Sequence, residues 1–562
     1  MKKFLKFKYN YKIELNLIII LIFAFYLRTL SINWDQNFYF HPDERAIVML
    51  TIPLAIPSNI DIFLNTQSPL NPHFFAYGNM PLYLLKIASE LFSNFNPILN
   101  DYGGIHIVGR VISALFDTLT VFLVFLIGAK VFSKRTGIWA SVLYALSVFP
   151  IQVSHFFAVD TILTFFLTAS LYLLILLYEK HNFKIAASLG LVFGLSLSTK
   201  ISALIFLPST IFTFLILLLF EKIKLSKLLL YILIFSAFSC IVFIIAQPYT
   251  LIDYKEFITQ TKIQTQMSKD PFIFPYTLQY VGKIPYLSEL KNIILWGQGP
   301  IIALLSFAGI VFNIFYFSKS KKGRNPNLIL LFYFSSYFLL FGSFAVGWMR
   351  YMLPIYPLLA IFGGFVISEI ITKKIPKQYL TNNISRKLII IVSLTILLIY
   401  PISFLSIYTK PNTRLQASQW ITNNIPSGSK LAIEHWDDAL PTYGGEKYTH
   451  LTLPLYDLET DEKWTQINQT LKDADYIIIA SNRLYAPLQK LTDCQNLPTG
   501  KCYALTSQYY KNLFSEKLGF SKVAEFTNYP TVPIINLSIV DDSADESFTV
   551  YDHPKILIFK KR

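Results

Sequence analysis

Eleven apolar segments of about membrane-spanning length succeed one another over the first 407 residues, and they leave this chain few folds to choose from. A helix needs about 20 apolar residues to cross the hydrocarbon core of a bilayer. The segments are 13–32, 105–131, 137–153, 161–178, 185–199, 201–220, 228–246, 293–317, 328–347, 351–371 and 388–407. In lipid every backbone N–H and C=O must be satisfied within the protein, so runs of this kind fold as helices. A hydrophobic content of 53% over 562 residues excludes a water-soluble protein of ordinary composition. The expected architecture is a polytopic α-helical membrane protein of about 11 transmembrane helices with a further domain after residue 407.

The formal charge of +15 does not form one continuous basic face, so a nucleic-acid partner is not expected. Basic clusters fall instead in alternate connections: Lys130, Lys134 and Arg135; Lys180 and Lys184; Lys222, Lys224 and Lys227; Lys319, Lys321, Lys322 and Arg324; Lys373, Lys374, Lys377, Arg386 and Lys387. With Lys2, Lys3, Lys6, Lys8 and Lys12 they place about 22 cations on one side, which the positive-inside rule makes cytoplasmic. An odd number of spans then puts the C-terminal region outside. The basic N-terminus has the look of a signal peptide, but no small-residue cleavage site follows Leu30, so it reads as a retained anchor. A re-entrant hairpin around Lys200 would preserve the same parity.

Two outer connections are long. Residues 33–101 hold two amphipathic stretches, 44–56 and 80–92, which read as helices lying along the interface. Residues 249–291 are polar and broken by prolines, the composition of a lid. From 408 to 562 the pattern becomes that of a soluble α/β domain, with helices expected at 414–424, 461–473 and 509–518 and strands at 430–434, 476–480, 548–551 and 556–559. It contains no glycine-rich phosphate loop. Cys494 and Cys502 stand eight positions apart in it, and export would permit a bridge that spacing alone does not establish.

The residues that carry chemistry sit at the outer ends of the apolar segments. His41-Pro42-Asp43-Glu44 opens the first loop. Adjacent residues cannot both face one centre, and Asp43 is the favoured base; a solvated acidic turn capping the next helix is the competing reading. Asp160 begins the fourth segment on the same expected side, with helix capping again as its alternative. Arg110, Lys200 and Arg350 are cations on that side, suited to phosphate oxygens or else to snorkelling. Asp117 lies deeper on the helix of Arg110 and must there have a partner or be protonated, a structural role. His41, His155, Asp43, Glu44 and Asp160 could in principle assemble a divalent-metal site, though no spacing such as His-Glu-x-x-His occurs.

Taken in order, these motifs resemble the membrane glycosyltransferases of the GT-C class, in particular glycosyltransferase family 39, the protein O-mannosyltransferase and aminoarabinose-transferase group. Asp43-Glu44 matches the family's acidic motif in the first outer loop, Gly109-Arg110 its Arg at the second span, and Asp160 its Asp before the fourth. Gly194-Leu195-Ser196-Leu197-Ser198-Thr199-Lys200 is similar to its stretch ending in Thr-Lys, and Arg350-Tyr351-Met352-Leu353-Pro354-Ile355-Tyr356-Pro357 to its Arg-Tyr-x-Leu-Pro motif. The resemblance covers roughly residues 10–405. Where aminoarabinose transferases carry a Lys-Pro-Pro-Leu element this chain has Gly78-Asn79-Met80-Pro81-Leu82, and the β-trefoil insert of eukaryotic O-mannosyltransferases is missing.

The resemblance implies an inverting transferase that moves a sugar from a polyprenyl-phosphate donor to a hydroxyl acceptor on a lipid, glycan or protein, at the outer face of a prokaryotic cytoplasmic membrane. Asp43, with Glu44 and Asp160, would be catalytic, Arg110, Lys200 and Arg350 would hold the donor phosphate, and His41, His155 and Asp117 would be accessory. A transporter or flippase is the alternative, weakened by charges that gather at helix ends and by the lack of visible repeated halves.

Overall fold

The computed structural model describes residues 15–319, 325–374 and 383–562. All eleven apolar segments contain helix, but their lengths differ from expectation. Among the described residues six helical stretches are long and apolar enough to cross a membrane: Ile105–Val131, Asp160–Lys180, Ile201–Leu219, Leu225–Ala246, Met349–Thr372 and Leu394–Asn424, the last running on into the first helix of the C-terminal domain. Lys134–Ala145 and Val148–Ser154, bent by 58°, make a seventh if they are one span. Leu15–Thr29, Phe183–Thr199, Pro300–Phe315 and Asn327–Gly342 are shorter apolar helices. Several breaks have local causes: Pro300 and Pro354 remove backbone donors, and a wide π-turn at Ile293–Gly297 and a tight 3-10 turn at Met349–Ile355 take up the chain beside them. The basic clusters at Lys2 to Lys12, Lys319 to Arg324 and Lys373 to Lys387 lie outside the described residues or side chains.

Apolar side chains such as Leu229, Leu233, Ile241 and Ile245 stand exposed around Leu225–Ala246, the surface expected of a helix that faces lipid chains. On the inner faces the helices pack closely. A Cβ at Gly364 would sit 2.5 Å from the backbone nitrogen of Ala140, so this crossing is open to glycine alone. The first long connection contains the expected amphipathic helices, at Pro42–Thr51 and Met80–Ser93, and the second contains a helix at Tyr254–Lys269.

The C-terminal domain holds a five-stranded sheet in the order β2-β1-β3-β7-β4, from β1 (Lys430–Glu434), β2 (Thr449–Leu453), β3 (Tyr476–Ile479), β4 (Phe520–Phe526) and β7 (Ile556–Lys561). β1 runs parallel to β2 and β3, while β7 is antiparallel to β3 and β4. β5 (Thr531–Val532) and β6 (Leu537–Ser538) form a separate ribbon. Helices Thr413–Asn424, Asp461–Asp473 and Ala504–Phe514 accompany the sheet. Cys494 and Cys502 are bridged, with Cα atoms 5.1 Å apart. Residues 548–551, expected as a strand, are instead the end of a short helix, Glu546–Thr549, and the turn after it. Asp545 caps that helix by accepting from Ser547 N at 3.0 Å, and a local cap outweighs the β-preference of Phe-Thr-Val-Tyr.

This domain is bound tightly to the helices. Gln152 Nε2 donates to Phe548 O at 2.7 Å and to Asp552 Oδ2 at 3.0 Å, and Tyr408 Oη donates to the same Asp552 oxygen at 2.7 Å. His553 bridges Asp552 (2.5 Å) and Asp541 (2.9 Å) just behind. Buried Arg414, held within the domain by Val550 O at 2.8 Å and Asp438 at 3.1 Å, lays its guanidinium 5.1 Å from the ring of Phe40 in the first loop.

Candidate active site

Two ion pairs meet where the helix ends face the C-terminal domain. The first joins Asp43, on the opening turn of Pro42–Thr51, to Arg350 Nη1. His41 caps that helix, its Nδ1 accepting from Glu44 N at 3.4 Å, and Pro42 comes next with φ already suited to a helix. Asp43 is therefore not the cap that the competing reading required. Arg350 lies in the 3-10 turn Met349–Ile355, its guanidinium 5.5 Å from the Trp348 ring.

The second pair is Lys200 Nζ with Asp160 Oδ1 at 3.0 Å. Lys200 succeeds Phe183–Thr199 in an extended conformation, which sends its side chain between the rings of Tyr77 (5.6 Å) and Tyr351 (5.3 Å). The first loop is pinned beside it: Gly78 N donates to Thr199 O at 2.9 Å, and a Cβ at Gly78 would overlap Ser198 O. Asp160 opens its helix without capping it.

Asp160 and Arg350 line one recess with His41, Gln152, Phe156, Trp348, Ser547 and Tyr551, and Asp43 joins it through Arg350. The recess is tight, about 20 Å³, close to the space one water needs. Four buried polar atoms of its walls have no hydrogen-bond partner: Asp160 Oδ2, Arg350 Nε, Trp348 Nε1 and Gln152 Oε1. Buried polar groups are rarely left so, and several on one recess mark a place for a polar ligand. The His41 ring lies 4.2 Å from that of Tyr551 and is held far below its ordinary titration range by burial and then by Arg350 and Arg110, so it is neutral.

Glu44 and Arg110 stand apart from this chemistry, contrary to expectation. Arg110 Nε and Nη2 bond Glu44 at 2.8 and 2.6 Å, Nη1 and Nη2 bond Asp35 at 3.0 and 2.7 Å, and Nη1 also bonds Ile32 O at 2.8 Å. All five N–H groups are used within the protein, so none remains for a phosphate. Glu44 further accepts from Phe157 N at 2.8 Å and is fully buried. Asp35, not among the expected residues, completes the knot that fixes the first loop three residues before Asp160. Burial opposes its charge, but Arg110 holds its carboxyl below the usual range.

Asp117 has its partner in Arg28, Nε to Oδ2 at 2.5 Å, and accepts from Tyr144 Oη at 2.6 Å. His155 contacts the carbonyls of Ile151 (2.9 Å) and Leu30 (3.0 Å), so both nitrogens are taken up by the fold. The metal set drawn from His41, His155, Asp43, Glu44 and Asp160 does not form: no three His, Cys, Asp or Glu side chains gather as ligands among the described residues. The recess carboxylates each face a cation of the protein, an arrangement for ion pairing and not for a divalent metal. Gln152, Trp348, Ser547 and Tyr551 were not foreseen, because only the docking of remote segments brings them here. A lone Arg in one apolar run and a lone Asp in another was a signal for the Arg28–Asp117 pair.

A helical membrane unit followed by a sheet-containing C-terminal domain is the fold of the GT-C membrane glycosyltransferases, and solved structures bear this fold out. The chain is similar to the oligosaccharyltransferase AglB of the archaeon Archaeoglobus fulgidus in complex with an inhibitory peptide and a dolichol-phosphate, at 14% identity and TM-score 0.52 over 97% of this chain and 88% of that one. An Archaeoglobus fulgidus oligosaccharyltransferase tethered to an acceptor peptide matches at 13% identity and TM-score 0.51, over 97% of this chain and 88% of that one. Residues 80–245 match the family described as dolichyl-phosphate-mannose-protein mannosyltransferase, a stretch that carries Arg110, Asp160 and Lys200. No curated protein matches the sequence directly.

Proposed function

We propose that this protein is an inverting glycosyltransferase that moves a sugar from a polyprenyl-phosphate donor to a hydroxyl acceptor. The observation that carries the reading is the convergence of Asp43–Arg350 and Asp160–Lys200 on one recess with unpartnered polar walls. The mannosyltransferase family match and the GT-C fold support a transferase over a transporter.

In this reading the acceptor oxygen attacks the anomeric carbon from the face opposite the phosphate, and its proton passes to Asp43. The anomeric C–O bond breaks with its electron pair going to the phosphate oxygen, whose charge Arg350 and Lys200 stabilise. Arg350 must exchange Asp43 for phosphate, which frees the base as the donor arrives. Asp160 positions Lys200 and offers Oδ2 to the acceptor. Glu44, Arg110 and Asp35 hold the loop that carries Asp43.

The same reading sets the recess and the C-terminal domain on the extracytoplasmic side and the N-terminus in the cytoplasm, in a prokaryotic cytoplasmic membrane, with the soluble unit starting near residue 408. Release of polyprenyl phosphate from a labelled polyprenyl-phosphate sugar, followed with the purified protein in lipid nanodiscs, tests it. Wild type is expected to turn the donor over and Asp43→Asn to lose it; undiminished turnover in the variant removes Asp43 from the mechanism.

A further inference from the structure

A second, far larger cavity lies beside the recess. This cleft of about 600 Å³ runs between the second long connection, at Gln279–Asn292, and the C-terminal domain. Its volume falls within the about 300–1,000 Å³ typical of small-molecule sites. One wall is the segment after β3, where Asn482 succeeds the strand. Open α/β sheets bind ligands beyond the carboxyl ends of parallel strands, and β1 and β3 present such an edge here. The bridged loop 494–502 fixes the rim that carries Asp493 and Asn496.

The lining points to a class of ligand. Three lysines and four carboxylates nearly cancel, so the cleft selects neither an anion nor a polycation. Planar amides at Gln279, Asn292, Asn482 and Asn496 line it; Gln279 and Asn496 each give one N–H to the protein, to Tyr276 O at 3.2 Å and Asp493 Oδ2 at 2.7 Å, and keep a second N–H beside the amide oxygen, the pattern that complements vicinal hydroxyl pairs. Glu546 adds the most direct sign. Its side chain is 6% exposed and lines the cleft, Oε1 is held by Arg483 Nε at 2.8 Å, and Oε2 has no partner. A buried carboxylate oxygen without a donor costs stability unless a ligand supplies one. Burial, against the pull of Arg483, pushes this carboxyl up to about 7, so near neutrality it can donate as well as accept.

The short helix Glu546–Thr549 is the partition between the two cavities: Asp545 and Glu546 face the cleft, while Ser547 faces the recess. We infer that the cleft binds a neutral, polyhydroxylated carbohydrate chain, the acceptor whose terminal hydroxyl enters the recess across Glu546–Thr549. The carbohydrate class rests on the cleft itself; its role as acceptor rests on the transferase reading.

The test uses the full chain in nanodiscs with mannotriose, cellotriose and chitotriose as probes, followed by saturation-transfer NMR. At least one probe is expected to bind, and to lose affinity at least tenfold both in Glu546→Gln and in Lys490→Trp, which fills the mouth from an exposed position. Absence of binding by all three, equal affinity in wild type and Lys490→Trp, or displacement of the probe by a Ser/Thr-rich decapeptide with higher affinity would overturn the inference. Donor turnover without saccharide binding counts against the cleft alone, and saccharide binding without donor turnover counts against the transferase reading alone.

Discussion

At the scale of single residues, neighbours in the chain do opposite work. Asp43 sits in a partly exposed ion pair, its side chain 24% exposed, whereas Glu44 is sealed with Arg110 and Asp35. Asp43→Asn is expected to change stability by no more than about 1 kcal/mol while lowering turnover by roughly 10²–10⁴. Glu44→Ala removes one member of a buried charge cluster and is expected to cost about 3–5 kcal/mol, seen as a lower thermal midpoint before any effect on chemistry is measured. Arg350→Lys keeps a charge but loses the planar fork, so donor kcat/KM is expected to fall by about tenfold or more, read from the turnover assay. Sequence reasoning could single out Asp43, Asp160, Lys200 and Arg350 because charges at the ends of apolar runs are few. It could not assign Arg110, since a cation that binds phosphate and one locked between two carboxylates look alike until Asp35 is brought beside it.

At the scale of elements, the site depends on how loops are pinned to helix ends. Gly78 docks backbone to backbone on the turn that precedes Lys200, and any Cβ there meets Ser198 O. Gly78→Ala is expected to cost about 1–3 kcal/mol and to lower turnover by displacing Lys200, measured as thermal midpoint and kcat in one preparation. The helices were legible because runs of apolar residues admit little else in lipid, and Ile105–Val131 has the limits its hydropathy implies. Shortened segments were harder, since a turn such as Ile293–Gly297 ahead of Pro300 keeps the apolar composition while changing the path. β4 was missed because a bulge between Lys522 and Ala524 breaks the two-residue alternation, and β2 because an edge strand with Thr449, His450 and Thr452 toward solvent shows little of it. The helix Glu546–Thr549 was mistaken for a strand although its capping Asp545 was in view.

At the scale of the whole molecule, composition separates a membrane unit from a polar C-terminal region but is silent on their union. Ser547, Tyr551 and Gln152 meet only when the two dock, and His553 between Asp541 and Asp552 secures the docking. Burial alone would lower its titration point, yet the two carboxylates raise it to about 10. Because the folded value lies above the ordinary 6.5, this contribution is complete below pH 6.5 and is lost as pH rises through about 10. The thermal midpoint of wild type is expected to fall between about pH 8 and 10.5 more steeply than that of His553→Gln; parallel profiles would remove His553 from the docking. The central claim is that Arg350 releases Asp43 to take the donor phosphate, with Lys200 beside it. Determination of the structure of the protein with bound polyprenyl phosphate tests this most directly. The phosphate oxygens are expected within hydrogen-bond distance of Arg350 and Lys200, with Asp43 freed from Arg350; a phosphate bound elsewhere while Asp43–Arg350 and Asp160–Lys200 both stay closed would contradict the account.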